Sequence, residues 1–94
     1  MSLLKKKSFR ILKCRWRTPF AEIDILAECP AGEIWIFEVK SLRHFDFLEV
    51  RLGRKQKERL QRAHLFIQSK TPKPVRLALV FVDAQAKILI FEDF

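Results

Sequence analysis

The sequence predicts an α/β domain: a mixed five-stranded sheet with one crossover helix, in the order β-β-β-α-β-β. Three stretches carry that reading. Residues 22–40, EIDILAECPAGEIWIFEVK, read as two strands around a turn marked by Pro30 and Gly32, the second rich in β-branched and aromatic residues. Residues 54–69 place Leu60, Ala63, His64 and Ile67 at i, i+3, i+4 and i+7, the period of a helix with one buried stripe. Residues 75–82, VRLALVFV, form a nearly continuous apolar run, as expected of a strand inside a sheet. A strand, a helix and a strand in succession imply a parallel pair joined by a right-handed crossover.

Taken in order, residues 1–7 are short, basic and expected to be flexible. Residues 8–17 alternate as a strand, with Phe9, Ile11 and Lys13 on one side and Leu12, Cys14 and Trp16 on the other. Thr18-Pro19-Phe20 turns the chain, because Pro19 fixes its own φ and restrains Thr18. The hairpin of residues 22–40 completes an antiparallel meander. Residues 45–52 form a connector packed in part through Phe47, Leu48, Val50 and Leu52. Gly53 precedes the helix, whose buried face Leu65 and Phe66 are expected to widen. Thr71-Pro72-Lys73-Pro74 ends the helix. Residues 83–86 turn into a last strand at 87–91. One helix covers one face of such a sheet, so the other face calls for an N-terminal helix or a second chain.

The 94 residues suit a single domain, 1–94. Nineteen basic and eleven acidic residues give a net charge of +8, which favours nucleic acid as a partner over an anionic membrane. No apolar run reaches the length of a membrane span, and no signal peptide is evident, so a cytoplasmic location is expected. Cys14 and Cys29 have neither CxxC spacing nor a nearby His, which argues against zinc or a structural disulfide. The chain has no Tyr to serve as a nucleophile and no Gly-rich phosphate loop. Trp16 and Trp35 are expected in the core rather than as base-stacking platforms.

The hairpin register follows from its side chains. With Ile23 opposite Val39, Ile25 opposite Phe37 and Ala27 opposite Trp35, one face is wholly apolar. The other face then sets Asp24 opposite Glu38, and Glu22 opposite Lys40. Like charges directly opposed repel, so a cation is expected between the two acids: Lys40, or more effectively a divalent metal. Between residues 18 and 39 there are five acids and no Lys or Arg, while all nineteen basic residues lie elsewhere. An acidic pocket in a basic protein suits a metal-dependent enzyme acting on a polyanion. The same acids fit equally the solvated face of an antiparallel sheet.

Asp24 followed by Glu38-Val39-Lys40 matches the Asp…Glu-x-Lys signature of PD-(D/E)xK nucleases. Together with Trp16-Arg17, the run from Glu22 through Ala27, Phe37 before Glu38, and Arg54-Lys55-Gln56, the chain from about residue 9 to 94 resembles the YraN-like family of small bacterial predicted endonucleases. That family is similar to archaeal Holliday junction resolvases. The resemblance implies a restriction-endonuclease-like fold and a Mg²⁺- (or Mn²⁺-) dependent endonuclease for DNA, including branched or junction DNA, acting as a homodimer. It implies Asp24 and Glu38 as metal ligands and Lys40 as the group that orients water or stabilises developing charge. Glu22 is an extra carboxylate that either joins the metal or pairs with Lys40, and the register favours the pairing. Lys55 and Gln56 at the helix N-terminus, with Arg43, Arg54, Arg59 and Arg62, are the candidate nucleic-acid contacts. The chain departs from the family pattern at Ala21 (Gly in the family), at Ala78 (usually Asp) and in lacking the family's first helix before Phe9. These departures leave two alternatives: an inactive nucleic-acid-binding module of the same fold, or a subunit that docks on a protein partner.

Overall fold

The computed structural model describes residues 8–42, 54–83, 85 and 88–92. Arg43, His44 and the 45–52 connector lie outside them, as does the segment 1–7. Strands β1 (Arg10–Arg17), β2 (Glu22–Glu28) and β3 (Ile34–Leu42) precede helix α1 (Arg54–Gln68), followed by β4 (Val75–Asp83) and β5 (Ile88–Phe91). The sheet runs β1-β2-β3-β4-β5, with β3 and β4 parallel and every other pair antiparallel. The element order and the parallel crossover are those expected from the sequence.

The β2–β3 turn closes because Gly32 takes φ 85°, a conformation that favours glycine, and donates to the Cys29 carbonyl at 2.9 Å. Pairing then follows the expected register at Ile25 with Phe37 and Ala27 with Trp35. The expected partnership of Ile23 with Val39 fails. Ile23 joins Leu26, Ile34, Ile36 and Val75 beneath the helix, whereas Val39 packs on the opposite face with Ile25, Phe37 and Val80. Side-chain alternation along β2 therefore breaks at Asp24. Across from it, Arg15 of β1 has φ 47°, a left-handed conformation unusual in a strand. A second irregularity falls between Ile11 and Lys13. It moves Lys13 off the side expected of it, so that its ammonium lies 4.9 Å from the ring centre of Trp16.

Helix α1 buries Leu60, Ala63 and Ile67 against the sheet, and Phe66 packs beside them. Leu65, expected to widen that stripe, points to solvent and is 69% exposed. The helix end is tied to the start of β4. Gln68 accepts from the Val75 amide (2.9 Å) and donates to the Lys73 carbonyl (2.8 Å), while His64 Nε2 donates to the Val75 carbonyl (2.6 Å). His64 thus completes the helix-to-strand junction and carries its proton on Nε2.

The second sheet face buries Ile25, Ala27, Phe37, Ala78 and Val80. Trp35 stacks on Phe37 at 5.7 Å, and Phe9 meets both edge-on at 6.0 and 5.6 Å. Trp16 and Trp35 are both half-buried, one on each face.

Candidate active site

The break at Asp24 builds the site. Asp24 Oδ2 accepts a hydrogen bond from the Val39 amide at 2.8 Å. A side-chain oxygen thus takes the place of a main-chain carbonyl in the ladder, and the regular β2–β3 pairs end at Ile25 and Phe37. Glu38 lies beside this break, next to the residue whose amide Asp24 holds.

Glu38 is 8% exposed, and its Oε2 is buried with no hydrogen-bond partner among the described residues. Burial, first, and then the neighbouring Asp24 carboxylate push its pKa from 4.5 up to about 7. The Lys40 ammonium pulls in the opposite direction, and Glu22 adds a smaller upward push. An orphaned carboxylate oxygen beside a second carboxylate is costly unless a cation or a proton joins it. The donor set suits a hard divalent ion, which takes oxygen ligands and fills its remaining positions with water. Among the described residues no three His, Cys, Asp or Glu side chains converge into a ready-made metal cage, so the protein offers a pair rather than a closed shell.

Glu38 opens into a pocket of about 310 Å³ whose walls also carry Glu22, Gln56, Arg59 and Phe20. The fold therefore brings two of the basic-helix candidates, Gln56 and Arg59, to the acids of the sheet. The expected Glu22–Lys40 pair is replaced: Glu22 faces Arg17 across the β1–β2 ladder at 3.9 Å, where both are exposed. Arg54 is exposed and bonded to Glu58 at 3.2 Å, one turn along the helix. Lys55 and Arg62 are exposed. Arg43 lies outside the described residues. No acid occupies the first turn of α1, where Arg54, Lys55 and Lys57 crowd the positive end of the helix dipole.

Two departures from the resembled pattern are placed by the structure. Ala78 is fully buried opposite Phe37 on the far face, so an Asp is not missing from the pocket. Ala21 adopts no left-handed φ, so a glycine is not required there. Phe20 was read from sequence only as part of a turn, and its place at the pocket was missed. The signal was a large apolar residue held between Pro19 and the first acid of β2.

The profile of Uncharacterised protein family UPF0102 matches residues 1–85. The chain belongs to the UPF0102 (YraN-like) family. A UPF0102 protein from Thermotoga neapolitana is 42% identical over 82 residues, covering 84% of this chain and 75% of the relative. One from Dictyoglomus thermophilum is 31% identical, covering 98% and 83%. Among solved structures, an EndoMS–dsDNA2 complex is similar with a TM-score of 0.59 at 17% identity. It covers 87% of this chain, which spans about a third (34%) of that protein. The likeness shows a restriction-endonuclease-like α/β fold. No helix among the described residues is long and apolar enough to cross a membrane.

Proposed function

We propose that this UPF0102 protein binds DNA and hydrolyses its phosphodiester bonds, with Asp24 and Glu38 holding a divalent cation, Mg²⁺ or Mn²⁺. The observation that carries this is the buried, unpartnered Glu38 Oε2 beside Asp24, at the wall of a pocket that also receives Arg59. When bound, the cation supplies Lewis-acid polarisation of the phosphodiester and a more acidic water.

The chain's own groups divide the remaining work. Val39's amide fixes the Asp24 carboxylate, which lowers the entropy to be lost when a ligand arrives. Glu38 must lose its proton to hold a cation, so cation affinity rises with pH through about 7. Lys40 offers a positive donor on the strand that carries Glu38, suited to negative charge developing on a phosphoryl oxygen. Arg59 and Gln56 offer a charge and an amide to phosphate oxygens at the same pocket. The positive end of α1, whose first turn has no acid and carries Arg54 and Lys55, favours the backbone further on. The fold likeness to a chain solved with double-stranded DNA and the net charge of +8 support DNA as the polyanion. Branched or junction DNA as substrate, a homodimer as the working form and a cytoplasmic location belong to the same proposal.

The test is calorimetric titration of Mg²⁺ or Mn²⁺ into wild type and Glu38→Gln, followed by cleavage assays on linear, flapped and four-way DNA. The expected result is cation binding and metal-dependent cutting by wild type, and loss of both in the variant. Salt-sensitive DNA binding with no cation binding and no cutting by wild type would refute the enzyme and leave the binding module.

A further inference from the structure

Four large apolar side chains are exposed among the described residues, and Phe20 is the one aromatic among them, at 43%. It stands at the wall of the Glu38 pocket. We propose that Phe20 is a stacking platform for an unpaired nucleobase next to the bond being cut, so that the site selects DNA with an unstacked nucleotide over continuous duplex. This rests on the nucleic-acid reading above and adds the substrate feature that reading leaves open.

The first support is rigidity. The turn that presents Phe20 is held by Thr18, a buried residue. The Thr18 hydroxyl accepts from the amides of Phe20 (3.2 Å) and Ala21 (3.0 Å) and donates to the Ala21 carbonyl at 2.7 Å. The Thr18 amide donates to the same carbonyl at 2.9 Å. Pro19 removes a further backbone freedom. The ring itself is braced edge-on against Phe66 at 5.9 Å, and Lys70 lies over Phe66. A large ring that only needed burial would not be fixed this firmly with nearly half its surface in water.

The second support is the chemistry of its neighbours. Phe20 shares the pocket with Glu22 and Glu38, which repel phosphate wherever no cation is bound to them, and with Arg59, which attracts it. A nucleotide satisfies this wall when its phosphate turns to Arg59 and its base to the uncharged ring. Bases inside a duplex are already stacked on one another, so only an unpaired or displaced base presents a free face.

The test uses short oligonucleotides carrying the fluorescent base 2-aminopurine, single-stranded or in perfect duplex, with Ca²⁺ in place of Mg²⁺ to restrain cutting. Wild type is expected to bind the unpaired form more tightly and to quench its fluorescence. Phe20→Ala is expected to lose roughly 5- to 100-fold in affinity for unpaired DNA, the range seen when stacking aromatics are truncated, and little for duplex. Phe20→Leu keeps the apolar contact with Phe66 and should match wild type in thermal stability while losing the quenching. Phe20→Trp should restore it. Equal losses on both DNA forms, or a Leu variant that quenches like wild type, would overturn the stacking role while leaving DNA binding intact. A wild type that binds neither DNA form would overturn the nucleic-acid reading and this inference together.

Discussion

Replacing Glu38 with Gln should make the protein more stable above neutral pH, although it removes a group proposed to be essential. The reasoning starts from the proton. A carboxyl whose pKa rises from 4.5 in the unfolded chain to about 7 in the fold binds its proton more tightly when folded. Between those values the native state holds more protons than the unfolded state, so stability falls as pH rises. The cost is nearly absent below pH 4.5 and fully present above about 7. A shift of that size corresponds to about 3 kcal/mol at pH 8, from roughly 1.4 kcal/mol per unit. Between pH 5 and pH 8 the part attributable to Glu38 is about 2 kcal/mol. In a domain of this size that is on the order of 10 °C in Tm. Gln has the same shape and no charge. Thermal unfolding by circular dichroism at pH 5 and pH 8, without divalent ions, should therefore show wild type losing stability with pH and Glu38→Gln losing about 10 °C less. Adding Mg²⁺ or Mn²⁺ at pH 8 should recover much of the wild-type loss and do nothing for the variant. Parallel pH profiles in the two proteins would show that the Glu38 carboxylate is not held at a desolvated, repulsive position, and the cation site would fall with it.

Substitutions at three other positions separate architecture from chemistry. Asp24→Asn keeps an oxygen for the Val39 amide, so Tm should change little while cation binding by calorimetry is lost; Asp24→Ala should lose cation binding and also about 1–2 kcal/mol of stability in urea unfolding. Glu28 bridges Arg10 and Lys73, and the Lys73 contact foremost holds its carboxyl below the usual 4.5, so its contribution is present above that pH and is lost as pH falls below it; Lys73→Met should lower stability above that pH, flatten the fall on the acid side and leave the acid limit unchanged. Arg59→Ala should weaken DNA binding and reduce the slope of log affinity against log salt by about one, measured by fluorescence anisotropy.

The elements were legible because each has an unambiguous period. The i, i+3, i+4 stripe of α1 and the apolar run of β4 could be read directly, and the hairpin register was correct wherever both strands alternate strictly, at Ile25 with Phe37 and Ala27 with Trp35. The errors share a cause. Ile23 and Lys13 were assigned faces by counting in twos, and the count fails across a bulge or a left-handed residue. Nothing in the identity of Arg15 announces a positive φ. Leu65 was taken as buried because it is apolar, yet it lies off the Leu60–Ala63–Ile67 stripe, and position rather than residue type decided its exposure. Glu22 was given to Lys40 on the same strict register, and the break at Asp24 gives it instead to Arg17. The acid pair itself was visible because Asp24 and Glu38 both flank well-paired positions. The convergence of Gln56 and Arg59 on Glu38 depends on how α1 lies across the sheet, which no local pattern encodes.

The irregularity that defeated the register also accounts for the site. In a regular hairpin, Asp24 and Glu38 would stand side by side on a flat face, each able to turn to water, and burial would not raise the pKa of Glu38. At the break, Asp24 spends one oxygen on the Val39 amide and is thereby fixed. Ile23 lies beneath the helix with Ala21 packed against the same core, and Phe20 and Ala21 line the pocket with Glu38. Leu60 of α1, among the largest fully buried side chains, lines the same pocket. Glu38 is then desolvated by apolar groups on two sides and faces a second acid on the third. A strand distortion of this kind sacrifices ladder hydrogen bonds and is tolerated only where the surrounding packing enforces it. Here the packing is the buried core of Ile23, Ile36 and Leu60, which holds the two acids near each other with Glu38 largely withdrawn from water. On the proposed reading, a cation between the two acids would relieve their repulsion, and a phosphate would approach them through it.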